Sequence, residues 1–354
     1  METISYKCPN CGGGLIFSPD TQRFKCEFCL SDFAQQQLEH MEPESSTEQP
    51  DNQSSSSPQS EAAEEMAVYN CPSCGAEIVA DPTTAATFCY YCHNPVVLSG
   101  RLSGEFRPDY VLPFTIDRER AVDIFKGWVG KKKFVPKSFY SKKQIEKMTG
   151  VYYPYLLYSC KVDAHMEAEG KNIRQWRSGD MEYTETKVYR ISRSGNMDIS
   201  NITRNALQKA EHQFSEAVMP FDMAKLQPFS SGFLSGFVAE KRDMGRDDFV
   251  SEIEQEVKQF ATDKMRREIS GYDSIAVKNT QSSIQTAEWR YALMPVWTIT
   301  YKDKSDRKLY YFALNGQTGS ICGALPVDSK RLLILFLCIF LPLFLMFLIG
   351  GLSL

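Results

Sequence analysis

Apolar residues recur along this chain with different periods, and each period predicts its own kind of element. In "DRERAVDIFKGWV", Ala121, Ile124, Phe125 and Trp128 stand at i, i+3, i+4 and i+7, which lines them along one face of an amphipathic helix. "TRNALQKAEHQFSEAV" repeats the pattern with Leu207, Ala210, Phe214 and Val218, and Pro220 follows where a helix should stop. "RDDFVSEIEQEVKQFATDKMRREISG" is the longest helical stretch. Its acids come early, its Lys and Arg late, and Gly271 closes it, an arrangement that suits the helix dipole. "SKKQIEKMTG" predicts a short helix opened by a Ser141/Gln144 capping box and ended at Gly150.

Between these lie aromatic and β-branched runs that read as strands: "VYYPYLLYSCKVDAHMEAE", "EYTETKVYRIS", "NMDISNI", "YALMPVWTITYK", "KLYYFAL" and "SICGAL". "NGQTG" (315–319) joins the last two as a hairpin loop. "YYPYLLYS" and "LMPVWTIT" each place Pro inside an aromatic run, an echo in keeping with two related α+β halves. The tyrosines of "VYYPYLLY" are read as core sheet rather than as a ligand-stacking surface.

One stretch has no period at all. After Lys330–Arg331 come 23 residues without a charge, "LLILFLCIFLPLFLMFLIGGLSL". At about 1.5 Å per residue such a helix is roughly 35 Å long, enough to cross a bilayer core. Pro342 is tolerated there, and uniformly apolar sequence has no second face to show to water. The expectation is a tail anchor over 330–354, with the basic pair holding the N-terminal bulk in the cytoplasm. No secretory signal opens the chain, which agrees with reduced cysteines on that side.

Charge sharpens the division into parts. Residues 1–34 carry −1, 35–66 carry −8 and 67–98 carry −2; since the whole chain is −4, residues 99–354 carry +7. The acidic stretch "HMEPESSTEQPDNQSSSSPQSEAAEEM" holds almost nothing that could form a core and reads as a disordered tether with a reach of several nanometres at most. The basic side concentrates in Lys126, Lys131, Lys132, Lys133, Lys137, Lys142, Lys143 and Lys147, against the single acid Glu146. A solvated surface is the bland reading of these lysines. Anionic lipid headgroups are the sharper one, through Lys131, Lys132 and Lys133, and nucleic acid is a third.

The candidate chemistry is a four-cysteine frame that occurs twice. "KCPNCGGGLIFSPDTQRFKCEFC" and "NCPSCGAEIVADPTTAATFCYYC" lie 63 residues apart, and in each two Cys-x-x-Cys pairs enclose 14 residues. A module of about 30 residues cannot bury enough apolar surface to hold itself together and needs a staple. Cys8, Cys11, Cys26 and Cys29, and then Cys71, Cys74, Cys89 and Cys92, supply two tetrahedral sulfur cages, each suited to one structural zinc ion. Four protein sulfurs leave no position open for a substrate or a reactive water. A disulfide framework, iron in the same cage and Cys-x-x-Cys redox catalysis are the competing readings. His93, beside Cys92, is read as a surface neighbour.

Zinc ribbons often bind nucleic acid, but affinity for phosphate comes from Lys and Arg. The second ribbon has neither, and the first is net negative. Nucleic acid is therefore the disfavoured partner and protein contact the favoured one. No G-x-x-x-x-G-K-[ST], H-E-x-x-H or G-x-S-x-G occurs, "SSGFLSG" (230–236) reads as a loop rather than a phosphate cradle, and the four histidines have no convincing partner in sequence. "NIT" (201–203) matches a glycosylation acceptor that a cytoplasmic face would leave unused.

The doubled frame, the phrases "FLSGFVAEKRDM", "ALMPVWTITYK" and "YYFALNGQTG", and the terminal apolar run together resemble a family over nearly the whole chain. It is that of the transcription-factor-IIB-type zinc-ribbon-containing membrane proteins of Gram-positive bacteria. Members are sometimes labelled like a primosomal replication-restart helicase, yet the Walker lysine such an ATPase needs is missing here. The resemblance implies a membrane-bound accessory or adaptor, set in a cell-envelope stress module, and carries over no catalytic residues.

The expected architecture is α+β: a zinc ribbon over 1–36, a disordered acidic linker over 37–66, a second ribbon over 67–99, a larger basic α+β domain with antiparallel sheet over 100–329, and one transmembrane helix over 330–354. The expected function is a non-enzymatic scaffold on the cytoplasmic face. Its ribbons engage protein partners and its last helix engages the bilayer. A membrane-associated nucleic-acid-binding accessory protein of replication or transcription is the alternative.

Overall fold

The computed structural model describes residues 3–39, 44–45, 67–208, 218–303 and 308–352. It has the expected α+β composition and divides into two compact units. The first gathers 1–154, 207–242 and 293–354; the second gathers 155–206 and 243–292.

In the first unit the amphipathic helix Arg118–Gly130 forms where its periodicity predicts, with Asp117 as N-cap accepting from the Arg120 N–H at 2.7 Å. It buries Ala121, Phe125 and Val129, while Ile124 and Trp128 are half-buried. Phe125 packs against Phe312 and Phe139, with ring centroids 4.7 and 5.7 Å apart. A second aromatic group joins Phe114, Tyr152, Phe237 and Trp297, with Phe114 stacked on Phe237 at 4.3 Å. The Trp297 indole N–H donates to the Ile116 carbonyl at 2.9 Å, so the buried ring keeps its polar atom satisfied.

The short helix is shorter than its sequence suggests, spanning Lys142–Ile145. Ser141 makes no side-chain cap and donates to the Ser138 carbonyl instead. Gln144 is buried, and its amide donates to the Thr300 carbonyl. The capping box is therefore dissolved by tertiary partners. Gly150 closes no helix: it lies inside strand Thr149–Ser178, where a Cβ would stand 2.6 Å from the Phe237 ring.

Both ribbons lie within the first unit. Strand Thr84–Phe88 pairs with Pro95–Val97 on one side and with Val238–Glu240 on the other, and Ile4–Ser5 adds to Pro95–Val97. Of the linker predicted over 37–66, residues 40–43 and 46–66 lie outside the described residues; Glu44–Ser45 pairs with Ile4–Ser5.

The second unit is built on length. Strands Thr149–Ser178 and Met181–Asn205 form one hairpin, in register from Tyr155↔Asn205 to Ser178↔Met181. Cys160, Val162, Ala164, Met166 and Ala168 alternate inward, one face of the strand. Helix Val250–Arg267 buries Ile253, Val257, Ala261 and Met265, and Arg204 on the hairpin is ion-paired to its Glu252 and Glu256. The helix predicted over 203–218 is not found at its start: Thr203–Asn205 end a strand, and 209–217 lie outside the described residues. Strand Ser274–Lys302 starts far earlier than "YALMPVWTITYK".

Helix Ser329–Leu352 contains Pro342, and none of the stretch Ser329–Phe347 is buried. With a mean hydropathy of 2.3, that stretch is long and apolar enough to cross a membrane.

Candidate metal centres

Each of the four Cys-x-x-Cys knuckles is shaped by the same local rule. The first cysteine's N–H donates to the carbonyl five residues on, and the residue four on returns its own N–H to that cysteine's carbonyl. The eight bonds, from Cys8, Cys26, Cys71 and Cys89 and from Gly12, Leu30, Gly75 and His93, measure 2.7 to 3.0 Å. The chain turns back through a left-handed residue each time: Gly12 at φ 76°, Leu30 at 59°, Gly75 at 73° and His93 at 58°. His93 is thus a turn residue with an exposed side chain, and it is not among the residues grouped around the sulfurs.

The turns converge the thiols. Cys8, Cys11, Cys26 and Cys29 form one group, Cys71, Cys74, Cys89 and Cys92 the other, and within each group all sulfurs lie within 4.8 Å of one another. The nearest pairs are Cys8–Cys29 at 3.5 Å, Cys11–Cys26 at 3.4 Å, and Cys71–Cys92 and Cys74–Cys89 at 3.7 Å. A tetrahedral zinc site with Zn–S of about 2.3 Å has sulfur–sulfur edges of about 3.8 Å. A disulfide would need about 2.05 Å. The spacing therefore fits a shared four-sulfur metal and not a pair of bridges.

The electrostatics agree. Burial pushes the Cys8 and Cys71 thiols up. The Gly13 N–H favours the Cys11 thiolate, but the sulfurs of Cys26 and Cys29 outweigh it and push Cys11 up to about 12. Burial, with the Cys74 and Cys71 sulfurs, pushes Cys92 up to about 12 as well. One thiol in each group goes the other way. The Ser31 hydroxyl and N–H hold Cys29 down to about 6, and at Cys89 the N–H groups of Cys92 and Tyr91 overcome burial and hold it down to about 7. Four thiolates oppose one another's ionisation, and a divalent cation removes that opposition. Two four-cysteine groups, each able to hold a metal ion, are thus in place.

The ribbons differ in how they are mounted. In the first, Leu15–Ser18 pairs with Arg23–Cys26, and Phe17 and Phe24 pack on Phe233 with centroids 5.1 and 6.4 Å away. The segment read as the loop "SSGFLSG" is the seat of this ribbon. The Phe17 N–H donates to the Ser235 carbonyl at 2.9 Å, the Ser235 hydroxyl donates to the Leu15 carbonyl, and the Tyr6 and Ser231 hydroxyls meet at 2.6 Å. Gly232 and Gly236 let Phe24 and Ile16 approach where a Cβ would come within 3.0 Å of each. In the second ribbon the strands equivalent to the first ribbon's hairpin do not pair with each other. Ala67–Asn70 pairs with Glu77–Ala80, and Thr84–Phe88 is given over to the larger sheet.

In both ribbons the second knuckle carries bare aromatic surface. Phe28 and Tyr91 hold the same place, two residues after Cys26 and Cys89, and each is 74% exposed. Tyr90 and Leu30 extend the two surfaces. Lys131, Lys132 and Lys133 are exposed and stand at the foot of the apolar helix. The Asp328 N–H donates to the Phe134 carbonyl at 2.7 Å, and Arg331 reaches the Lys133 and Val135 carbonyls at 3.5 and 3.4 Å. Sequence reasoning missed one pair: His165 Nδ1 lies 2.8 Å from Ser194 Oγ. The two residues face each other across the long hairpin, on an exposed sheet surface. Only the strand register brings them together.

No family model and no solved structure matches the chain. It is similar to the Uncharacterized protein YdjG of Bacillus subtilis (strain 168), 29% identical over 328 residues, 93% of this chain and 92% of that one. The likeness therefore extends well beyond the cysteine-bearing part.

Proposed function

We propose that the protein is a membrane-anchored, non-enzymatic adaptor whose two four-cysteine sites hold structural zinc and present rigid aromatic knobs to a protein partner on the cytoplasmic face. The observation that carries this reading is the matched pair Phe28 and Tyr91. Large apolar side chains on a surface mark contact sites, and a knuckle pinned at both its cysteines to a four-sulfur metal site loses little ordering entropy when it binds. Closed cages supply shape and no reactive water, which suits an adaptor rather than a hydrolase. The resemblance to the transcription-factor-IIB-type zinc-ribbon membrane proteins supports the same role, with a cell-envelope stress module as its setting.

The lysines at the helix foot favour lipid over nucleic acid. A cation held at the foot of a membrane-crossing helix meets anionic headgroups at contributions of about 1 kcal/mol per Lys. Lys330 and Arg331 set the orientation with the bulk inside.

The test is affinity capture of the full chain from detergent-solubilised membranes, with metal content measured on the same sample. Phe28→Ser with Tyr91→Ser is expected to keep two zinc ions per chain and lose the partner. Retention of every captured protein by that variant refutes the adaptor reading.

A further inference from the structure

Strand Met181–Asn205 pairs with Thr149–Ser178 on one side only; among the described residues its other edge has no partner strand. Long edges are ordinarily blunted by proline, by a bulge, by shortness or by charged side chains, because they template pairing with another chain. Of these the stretch from Met181 to Ile191 carries only charge, in Glu182, Glu185, Lys187 and Arg190. Between Met181 and Ile191 there is no Pro and no Gly, and the hairpin's one register shift lies at its far end, between Tyr158 and Cys160. Met181, Tyr183, Val188 and Tyr189 leave 61, 39, 57 and 40% of their surface exposed.

We propose that this edge recognises itself: two copies of the chain pair antiparallel along Met181–Ile191, about a two-fold axis through Thr186. The segment "MEYTETKVYRI", read outward from Thr186, is complementary at every step. Glu185 meets Lys187, Thr184 meets Val188, Tyr183 meets Tyr189, Glu182 meets Arg190 and Met181 meets Ile191. By symmetry each charge pair forms twice. Opposed residues of an antiparallel pair must point to the same sheet face, so a two-fold register has to centre on a residue. Moving the centre by one residue sets Lys187 against Lys187 or Glu185 against Glu185. Moving it to Val188 sets Glu182 against Ser194 and Glu185 against Ile191, with no ion pair. Thr186 is the centre that the charges select.

The existing contacts leave these charges available. Arg190 lies 3.2 Å from Glu167 and Lys187 lies 3.8 Å from Glu185, with the Arg190 and Lys187 side chains 83 and 60% exposed. Cross-strand aromatic and opposite-charge pairs are the units that stabilise a sheet, and like charges directly opposite destabilise it. The proposal rests on the hairpin edge alone and stands or falls separately from the zinc sites.

The experiment uses the full chain in detergent, followed by sedimentation over a concentration series. The unaltered chain is expected to dimerise. Glu182→Lys with Glu185→Lys, and separately Lys187→Glu with Arg190→Glu, each place like charges at all four contacts and should weaken the dimer on the order of 100-fold. An equal mixture of the two variants restores every opposite-charge pair and should recover a dimer holding one copy of each. The fourfold variant should recover a dimer of itself. A monomeric unaltered chain, or charge variants that dimerise as well as it does, overturns the proposal. So does a mixture that stays monomeric while the fourfold variant is folded. A photo-crosslinking residue in place of Thr186 reports the same geometry with all charges intact: it should link to the 181–191 strand of a second copy, and absence of that link also overturns it.

Discussion

The two ribbons share one cysteine frame and are held in two different ways. The first keeps its own three-stranded sheet, Leu15–Ser18, Arg23–Cys26 and Asp32–Phe33, and is seated on Ser231–Phe237 through Phe17, Phe24 and a few hydrogen bonds. Among the described residues it pairs with the main sheet only through Ile4–Ser5 beside Pro95–Val97. The second is divided: its opening hairpin is a two-stranded sheet of its own, and the strands around Cys89 and Cys92 belong to the main sheet, where Ala86 lies opposite Ala239 and Val97. Its core mixes cysteines with Tyr69, Ile78, Val96 and Leu98, and Arg101 ties Tyr69 to the Asp81 and Thr84 carbonyls. A repeated ligand spacing therefore fixes the knuckles and leaves the strands between them to be decided by whatever sequence lies alongside.

The largest expected effect separates docking from insertion. Structural zinc contributes on the order of 10 kcal/mol to the fold that holds it. Cys71→Ser with Cys89→Ser should therefore loosen the main sheet. In hydrogen exchange, Thr84–Phe88 and Val238–Glu240 should lose protection together with the ribbon. Cys8→Ser with Cys26→Ser should confine the loss to the first ribbon and its seat at Ser231–Phe237. Equal spread from both variants would break the comparison. A smaller test leaves both metals in place. Phe233, 2% exposed, is the floor on which Phe17 and Phe24 rest, and Phe233→Ala should cost about 3–5 kcal/mol by removing a buried aromatic. The expected signature is faster exchange in the first ribbon at unchanged metal content, with the second ribbon unaffected.

What the sequence made legible follows the range of the forces involved. The cysteine groups were readable because a knuckle closes within six residues. The helices at Arg118–Gly130 and Val250–Arg267 were readable because a buried stripe imprints its period locally. The seat of the first ribbon was not readable, since Ser235 bonds to Leu15 across 220 residues and leaves no local pattern in "SSGFLSG". The early part of strand Ser274–Lys302 was missed for another reason. "SIAVKNTQSSIQTAEWR" is mostly exposed, so no apolar alternation marks it, and its strand character comes from backbone pairing with its neighbours. Lys131–Lys133 were legible as a cluster, but their place at the foot of the apolar helix depends on Asp328 and Arg331.

The turn-closing residues sharpen the comparison at about 1 kcal/mol. Gly12 and Gly75 occupy the left-handed region at little cost, and each faces open space, so Gly12→Ala and Gly75→Ala should destabilise by roughly that amount through the backbone alone. Leu30 and His93 hold the same conformation with exposed side chains, so Leu30→Gly and His93→Gly should cost little or stabilise. Thermal unfolding of metal-loaded protein measures all four. The two ribbons should respond alike here, because the knuckles are the part they share.

The smallest effect is confined to the first ribbon's hairpin turn. The Ser18 hydroxyl, helped by the Thr21 and Asp20 N–H groups and by Lys25, holds the Asp20 carboxyl below its ordinary value. Thr83 stands at the equivalent place in the second ribbon, so no carboxylate titrates there. A depressed carboxylate adds stability that is fully present above the pKa of the unfolded chain and is lost as pH falls through the lowered folded value. Asp20 is exposed, so solvent screening holds the contribution to well under about 1 kcal/mol. Asp20→Asn should therefore slightly raise exchange of the Leu15–Ser18 and Arg23–Cys26 amides at neutral pH, with the gap to the unaltered chain closing in acid. A gap that persists once the carboxylate is protonated would assign the effect to lost geometry rather than lost charge.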